Sequence, residues 1–386
     1  GHASVATLDT GVTVFLLAGF IALHRLAQGR RRRWALAAGA LFGCALASKF
    51  VALFFLPLIP VLLAAEWKPR GRNGLFELVR ALALIALGGW LAVNAAYGFK
   101  GFPLPDEMID GVIFKTLERG GSKSLSFLLG IWSNHGWWYY YLVALFYKST
   151  IPLLLLLTVA ARGFINRLRS GGSRAWLKPA LWLALPPLVL IEILSFQYQI
   201  HFGIRYLLPA FPFLILVAGY GIRTLLRGSR PEKVFLAGLL VWQVAACAIA
   251  APGHLAYFNE SVGGLNRARK VLLDSNLDWG QDLGRLKAYM AENKIDEIRL
   301  GYFGCVDPAL YGIRFSLPPL EPEPGLYAIS ANFLGGLPPV LTYLESPGLY
   351  VPNGDWSWID DYEPVDRVGS SIYIFKIEAS DIKDIR

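Results

Sequence analysis

Residues 9–50, DTGVTVFLLAGFIALHRLAQGRRRRWALAAGALFGCALASKF, decide the fold. An acid, Asp9, opens the stretch, and an apolar run over 10–28 follows it. Four consecutive arginines, Arg30 to Arg33, separate that run from a second over 34–48, which ends at Lys49. A helix that crosses a bilayer needs roughly 20 apolar residues, and basic residues gather in the cytoplasmic turns between such helices. The stretch therefore predicts a helix crossing a membrane, a cytoplasmic turn and a shorter helix crossing back.

The same grammar extends down the chain. Further apolar runs lie at 50–65, 75–97, 137–161, 175–195, 205–222 and 233–251, about eight in all. Between them stand Lys68, Arg70 and Arg72; Arg162, Arg167, Arg169 and Arg174; and Arg223, Arg227, Arg230 and Lys233. If the runs alternate in direction, every one of these basic loops shares the side of Arg30–Arg33. The opposite, extracytoplasmic side then receives Asp9, Lys49, loop 98–136, loop 196–204 and everything after Pro252. The 386 residues are 55% hydrophobic and 17% charged, which excludes soluble, disordered and fibrous classes. The net charge of +9 sits in loops that orient helices, so nucleic acid is not an expected partner. Cys44, Cys247 and Cys305 form no CxxC pair and no disulfide framework.

After Pro252 the composition changes to mixed charge and turn formers. The fold expected is a polytopic α-helical membrane domain over 1–252 followed by a small extracytoplasmic α/β domain over 253–386. The latter should open as strand Lys270–Ser275, helix Gln281–Asn293 and strand Glu297–Phe303, a right-handed βαβ unit. Gly325–Ser330 and Ser371–Ile377 are further strand candidates.

Charged side chains on the outer side are where chemistry is expected, because an ionisable group at membrane depth needs a partner or a purpose. Asp9 is either a functional carboxylate or a cap on the first span. Lys49 is either an anion-binding cation or a lysine that snorkels from a turn. His201 and Arg205 flank a short outer loop, and Arg205 enters the next span. It requires an anionic ligand or an internal acid such as Glu192. Asp106 and Glu107 read as solvated surface, in a loop long enough to form a lid or an interfacial helix. The aromatic run Trp137–Tyr141 reads as an interface belt. In Asp274–Asp282 alternate oxygens suggest a calcium loop, yet glycine falls one place late and Arg285 stands where the closing glutamate belongs. A capping box of Asp278 with Gln281 fits that turn better, and a role in acceptor binding stays open.

Taken together, Gly1-His2 through Asp9-Thr10, Ala47–Phe50, His135–Tyr141 with Lys148, His201–Pro209 and Asp274–Asp282 resemble bacterial membrane glycosyltransferases of the GT-C class. Within that class the resemblance is to the protein-mannosyltransferase-like family, glycosyltransferase family 39, and it runs along essentially the whole chain. It implies a hexosyltransferase-like enzyme of the bacterial plasma membrane that moves a sugar from a polyprenyl-phosphate carrier to an acceptor at the extracytoplasmic face. The resemblance leaves protein, lipid and glycan open as acceptors. Asp9 matches the family's second acidic position, and the resemblance places the leading acid in an upstream loop that this sequence does not contain. The expectation is thus of an N-terminally truncated chain, incapable of turnover as it stands. His2, Lys49, His201 and Arg205 are the substrate-binding candidates. No metal ligands are assigned, no cofactor is certain, and a divalent cation stays open. The competing expectation is a non-catalytic transporter or lipid-binding protein that holds an anionic polyprenyl lipid with the same cations, although no inverted pair of broken helices marks a transporter. A membrane scaffold whose outer domain binds another protein is a further alternative.

Overall fold

The computed structural model describes residues 7–29, 31–67, 74–121, 125–170, 176–197, 201–338, 340–341, 349–350 and 356–382. His2, Arg30, Lys68, Arg70, Arg72 and Arg174 lie outside them. A bundle of helices leads into an α/β region at one of its ends, and among the described residues six helical segments are long and apolar enough to span a membrane. The chain is a multi-pass membrane protein.

The first helices are α1 (Asp9–Gly29) and α2 (Arg32–Ser48), followed by a 3-10 turn over Phe50–Phe55, α3 (Leu58–Glu66) and α4 (Gly74–Ala96). At 17 residues α2 is shorter than a typical span, and it is wedged between α1 and α4. Small residues allow this. A side chain at Gly39 or Gly88 would strike the backbone of the facing helix, and one at Gly43 would meet Gly89 O at 2.6 Å. Such small-residue contacts bring membrane helices together where no hydrophobic gain separates protein from lipid. The expected span at 50–65 is broken instead into the 3-10 turn and nine-residue α3, with Pro57 preceding that helix.

The loop after α4 carries α5 (Asp106–Gly121) and a hairpin of β1 (Ser126–Leu128) with β2 (Ile131–Ser133). Asp106 and Glu107 are exposed in the first turn of α5, where carboxylates suit the helix dipole.

The expected span at 137–161 is corrected. Two helices occupy it, α6 (Tyr140–Lys148) and α7 (Ile151–Arg169), with a break at Ser149 and Thr150. Pro152 cannot donate to the preceding turn, and the carbonyls near the break turn to Asn259. Asn259 Nδ2 donates to Phe146 O at 2.6 Å and Ser149 O at 3.0 Å, and its backbone N–H donates to Tyr147 O at 2.8 Å. Both ends of α6 touch the α/β region or the loops beside it, so α6 lies outside the spans and α7 crosses. Then come α8 (Leu177–Glu192), extended by a π-helical turn to Gln197; a 3-10 stretch Ile204–Ala210 leading into α9 (Phe211–Leu226); and α10 (Arg230–Ala250).

The α/β region holds a five-stranded sheet. Its strands are β3 (Ile298–Gly301), β4 (Phe315–Ser316), β5 (Gly325–Ser330), β8 (Asp366–Val368) and β9 (Ile372–Ile377), with β6 (Val340–Leu341) and β7 (Leu349–Tyr350) forming a separate pair. The order is β4-β3-β5-β9-β8: β3 runs parallel to β4 and β5, and β9 antiparallel to β5 and β8, with Gly325 opposite Ile377 and Ser330 opposite Ile372. The expected strand Lys270–Ser275 does not form. Asp274 takes a left-handed φ of 59°, and its N–H donates at 2.8 Å to the Asn332 side chain rather than to a ladder. The expected βαβ unit is thereby reduced to helix Leu283–Glu292 followed by β3.

Candidate functional site

Two short segments far apart in sequence meet at the α/β end of the bundle. Asn276, fully buried, is their hinge pin. Its Oδ1 accepts from Ile204 N–H at 2.9 Å, and its Nδ2 donates to Tyr140 Oη at 3.1 Å and Leu273 O at 2.9 Å. Ser275 Oγ donates to Phe202 O. The stretch 201–206 is thus fastened to 274–276, and both lie against the start of α6.

His201 is sealed beneath this seam at 3% exposure, between the rings of Tyr140 (4.7 Å) and Tyr141 (5.5 Å). Among the described residues neither ring nitrogen has a hydrogen-bond partner, and burial pushes the imidazole down to about 4. Gly136, at φ 64°, packs so closely that any side chain there would run into the imidazole. His201 borders a small cavity lined also by Ser126, Trp132, Leu273 and Asp274.

A second group of charges stands alongside. Lys49 ends α2 and forms an ion pair with Asp9, whose residue is 3% exposed at the start of α1. The ammonium also lies 4.3 Å from the Tyr206 ring. From the other flank the Arg205 guanidinium approaches Tyr206 at 5.4 Å and stacks on Trp279 at 4.3 Å. Among the described residues no carboxylate lies within ion-pair distance of Arg205, and its buried Nε has no hydrogen-bond partner. Glu192, the alternative partner, is exposed and accepts from Gln197 at 3.2 Å. Asp274 is the carboxylate that feels Arg205 electrostatically: burial raises its pKa, while the Ser275 backbone hydrogen bond and then Arg205 pull it back.

The structure therefore places Asp9, Lys49, Arg205 and His201 at one end of the bundle, with the first three around Tyr206 and His201 behind them. Asp278 and Asp282 are used otherwise than as the sequence suggests. Helix Leu283–Glu292 begins too late for a capping box at Asp278. Asp278 accepts from Gly280 N–H at 2.9 Å and Ser330 Oγ at 2.5 Å, and burial pushes it up to about 7. Gln281 instead accepts from Trp279 N–H at 2.7 Å, while Asp282 binds Ser370, Ser371 and Arg285. Among the described residues no three His, Cys, Asp or Glu side chains gather as a metal set.

Four residues at this end escaped the sequence reading. Tyr206 and Trp279 present ring faces to the cations, and Asn276 joins the segments. Lys148, noted only within a motif, is half-buried, donates to Asn276 O at 2.5 Å and Leu255 O at 2.8 Å, and is pushed down to about 7 by desolvation. Only the oddity of a lysine followed by Ser-Thr-Ile-Pro inside an apolar run signalled it.

The model of the dolichyl-phosphate-mannose-protein mannosyltransferase family matches residues 3–98. That span holds α1 to α4 with Asp9 and Lys49, while the segments bearing His201, Arg205 and Asn276 lie beyond it. No curated protein and no solved structure matches the chain.

Proposed function

Given that the match supports a GT-C, protein-mannosyltransferase-like family and hence a membrane glycosyltransferase, we propose that the donor is a sugar on a polyprenyl phosphate and that transfer occurs at the α/β end of the bundle. The observation that carries the reading is Arg205: a guanidinium held against Trp279, with no carboxylate in ion-pair distance among the described residues, a ring's width from the Asp9–Lys49 pair. An anionic ligand is what such a group lacks.

In this proposal Arg205 binds the phosphate bidentately and Lys49 adds a second positive charge from across Tyr206. As transfer proceeds, the bond between the sugar C1 and the phosphate oxygen breaks and its electron pair stays on the phosphate. The acceptor hydroxyl oxygen forms the new bond to C1, and its proton passes to a carboxylate base. The cations stabilise the charge that grows on the leaving phosphate. Asp9, fixed by Lys49, orients the acceptor hydroxyl or the base. His201, too deeply buried to meet a sugar in the geometry seen here, supports the ligand site by fixing the 201–206 segment against α6. His2 keeps the assignment its motif implies, as a substrate-binding residue. The α/β region, which we bound at 253–386, contributes to acceptor choice.

In this reading the basic loops belong to the cytoplasmic side of a bacterial plasma membrane, which supports a site that faces outward. Cys305, exposed on the α/β region, tests this: a membrane-impermeant maleimide should label it in intact cells, and labelling only after lysis would reverse the orientation. The reaction class is tested by polyprenyl-phosphate release in membranes bearing the intact protein. A transferase releases it only when acceptor is present; release without acceptor, or lipid binding with none, favours a transporter or lipid-binding protein.

A further inference from the structure

At the opposite end of the bundle, about one helix length or roughly 30 Å from Asp9, lies a cavity of about 170 Å³. Leu26 of α1 and Leu84 of α4 belong to its apolar lining, Trp67 stands where α3 ends, and Arg32, Glu77 and Arg80 supply its charge. Trp67 is oriented by a 3.0 Å hydrogen bond from its indole N–H to Gly74 O. Nothing in the transferase reading uses this place.

Its chemistry is specific. Among the described residues, the two guanidiniums and one carboxylate of the lining leave a net charge of one positive unit, which a phosphodiester, with one negative charge, balances. Arg is the side chain best shaped to grip phosphate oxygens in pairs. Among the described residues neither Arg32 nor Arg80 makes an ion pair, although a carboxylate shares their cavity. The cavity has room for a phosphate with a few atoms beside it. The surroundings select the source of that phosphate. The cavity lies at the mouth of apolar spans, with an indole at its edge as at membrane interfaces, and Phe76 and Val79 on the neighbouring face of α4 are 67% and 55% exposed. An acyl chain can run along that face while the headgroup enters the cavity.

We propose that this cavity binds the phosphodiester headgroup of a membrane phospholipid, with Arg32 and Arg80 on the phosphate, at the end of the bundle remote from sugar transfer. The proposal is independent of the donor assignment. The test is native mass spectrometry and thermal unfolding of the full chain in detergent with added phosphatidylglycerol, in parent and in the double variant Arg32→Ala/Arg80→Ala. Water-soluble glycerophosphoglycerol serves as competitor. The parent should retain one saturable lipid and melt higher with it, and the double variant should bind at least roughly tenfold more weakly. The soluble headgroup should not displace the lipid. Should the double variant fail to fold, Arg80→Gln against Arg80→Lys carries the comparison, with lysine retaining more binding. Equal lipid retention in parent and variants overturns the site. Displacement by the soluble headgroup at similar concentration overturns the lipid source and leaves a free-anion site.

Discussion

The two ends of the helical bundle treat charge in opposite ways. At the α/β end, Asp9, Lys49, Lys148 and the segments around Arg205 and Asn276 are held by named partners under a folded cover. At the arginine-rich end, Arg31, Arg32 and Arg33 are exposed, and where charges gather they border a cavity. Desolvated ions and amides must be satisfied in place, so the first end specifies a geometry; solvated ones need only be on the correct side, so the second specifies an orientation. A site that positions a reacting group belongs at the first.

This contrast can be attacked at several points. The largest effect is expected at Asn276. Asn276→Ala strands the Ile204 N–H and frees Tyr140 in a buried seam, and should destabilise the fold by about 3 kcal/mol. Thermal unfolding in detergent checks this, and a loss below about 1 kcal/mol would mean the seam is not a rigid joint.

Lys148 offers a pH test. In the unfolded chain its ammonium keeps its proton to about 10.5, but in the fold only to about 7, because burial penalises the charge. Between those values the unfolded state binds more protons, so stability should rise with pH across that window. In Lys148→Met that slope should vanish; an unchanged slope assigns it to another group. His201 acts with the same sign at lower pH, between about 4 and 6.5.

Asp9→Asn in the intact protein keeps the shape and removes the charge opposite Lys49. Transfer should fall roughly tenfold or more while unfolding shifts little. Unchanged turnover would reduce Asp9 to a structural partner of Lys49. Smallest of all, Arg33→Ala, exposed beside Trp34, should change stability by no more than about 0.5 kcal/mol. A larger loss would break the claim that the solvated arginines at this end fix no geometry.

Much of the fold was legible because membrane helices announce themselves by length and by the arginines between them. Among the described residues five of the six segments long enough to span fall where the apolar runs do, and Gly325–Ser330 is a strand as its β-formers suggest. What misled was local composition overridden from afar. Apolar 137–161 looks continuous, but Asn259 takes the carbonyls at the break. Lys270–Ser275 has the residues of a strand, but a left-handed Asp274 and its bond to Asn332 end it. At the site, charges out of place for a membrane protein pointed to Asp9, Lys49 and Arg205. Their neighbours Tyr206 and Trp279 were hidden, because aromatic residues are common throughout this chain and only the fold turns their faces to the cations.

The donor-phosphate assignment stands or falls with Arg205, and native mass spectrometry of the chain with added polyprenyl phosphate addresses it directly. The parent should bind saturably, Arg205→Ala should bind at least roughly tenfold more weakly, and its unfolding temperature without lipid should be nearly that of the parent. Equal binding by Arg205→Ala and parent would contradict the assignment and make the Arg205–Trp279 stack a structural contact.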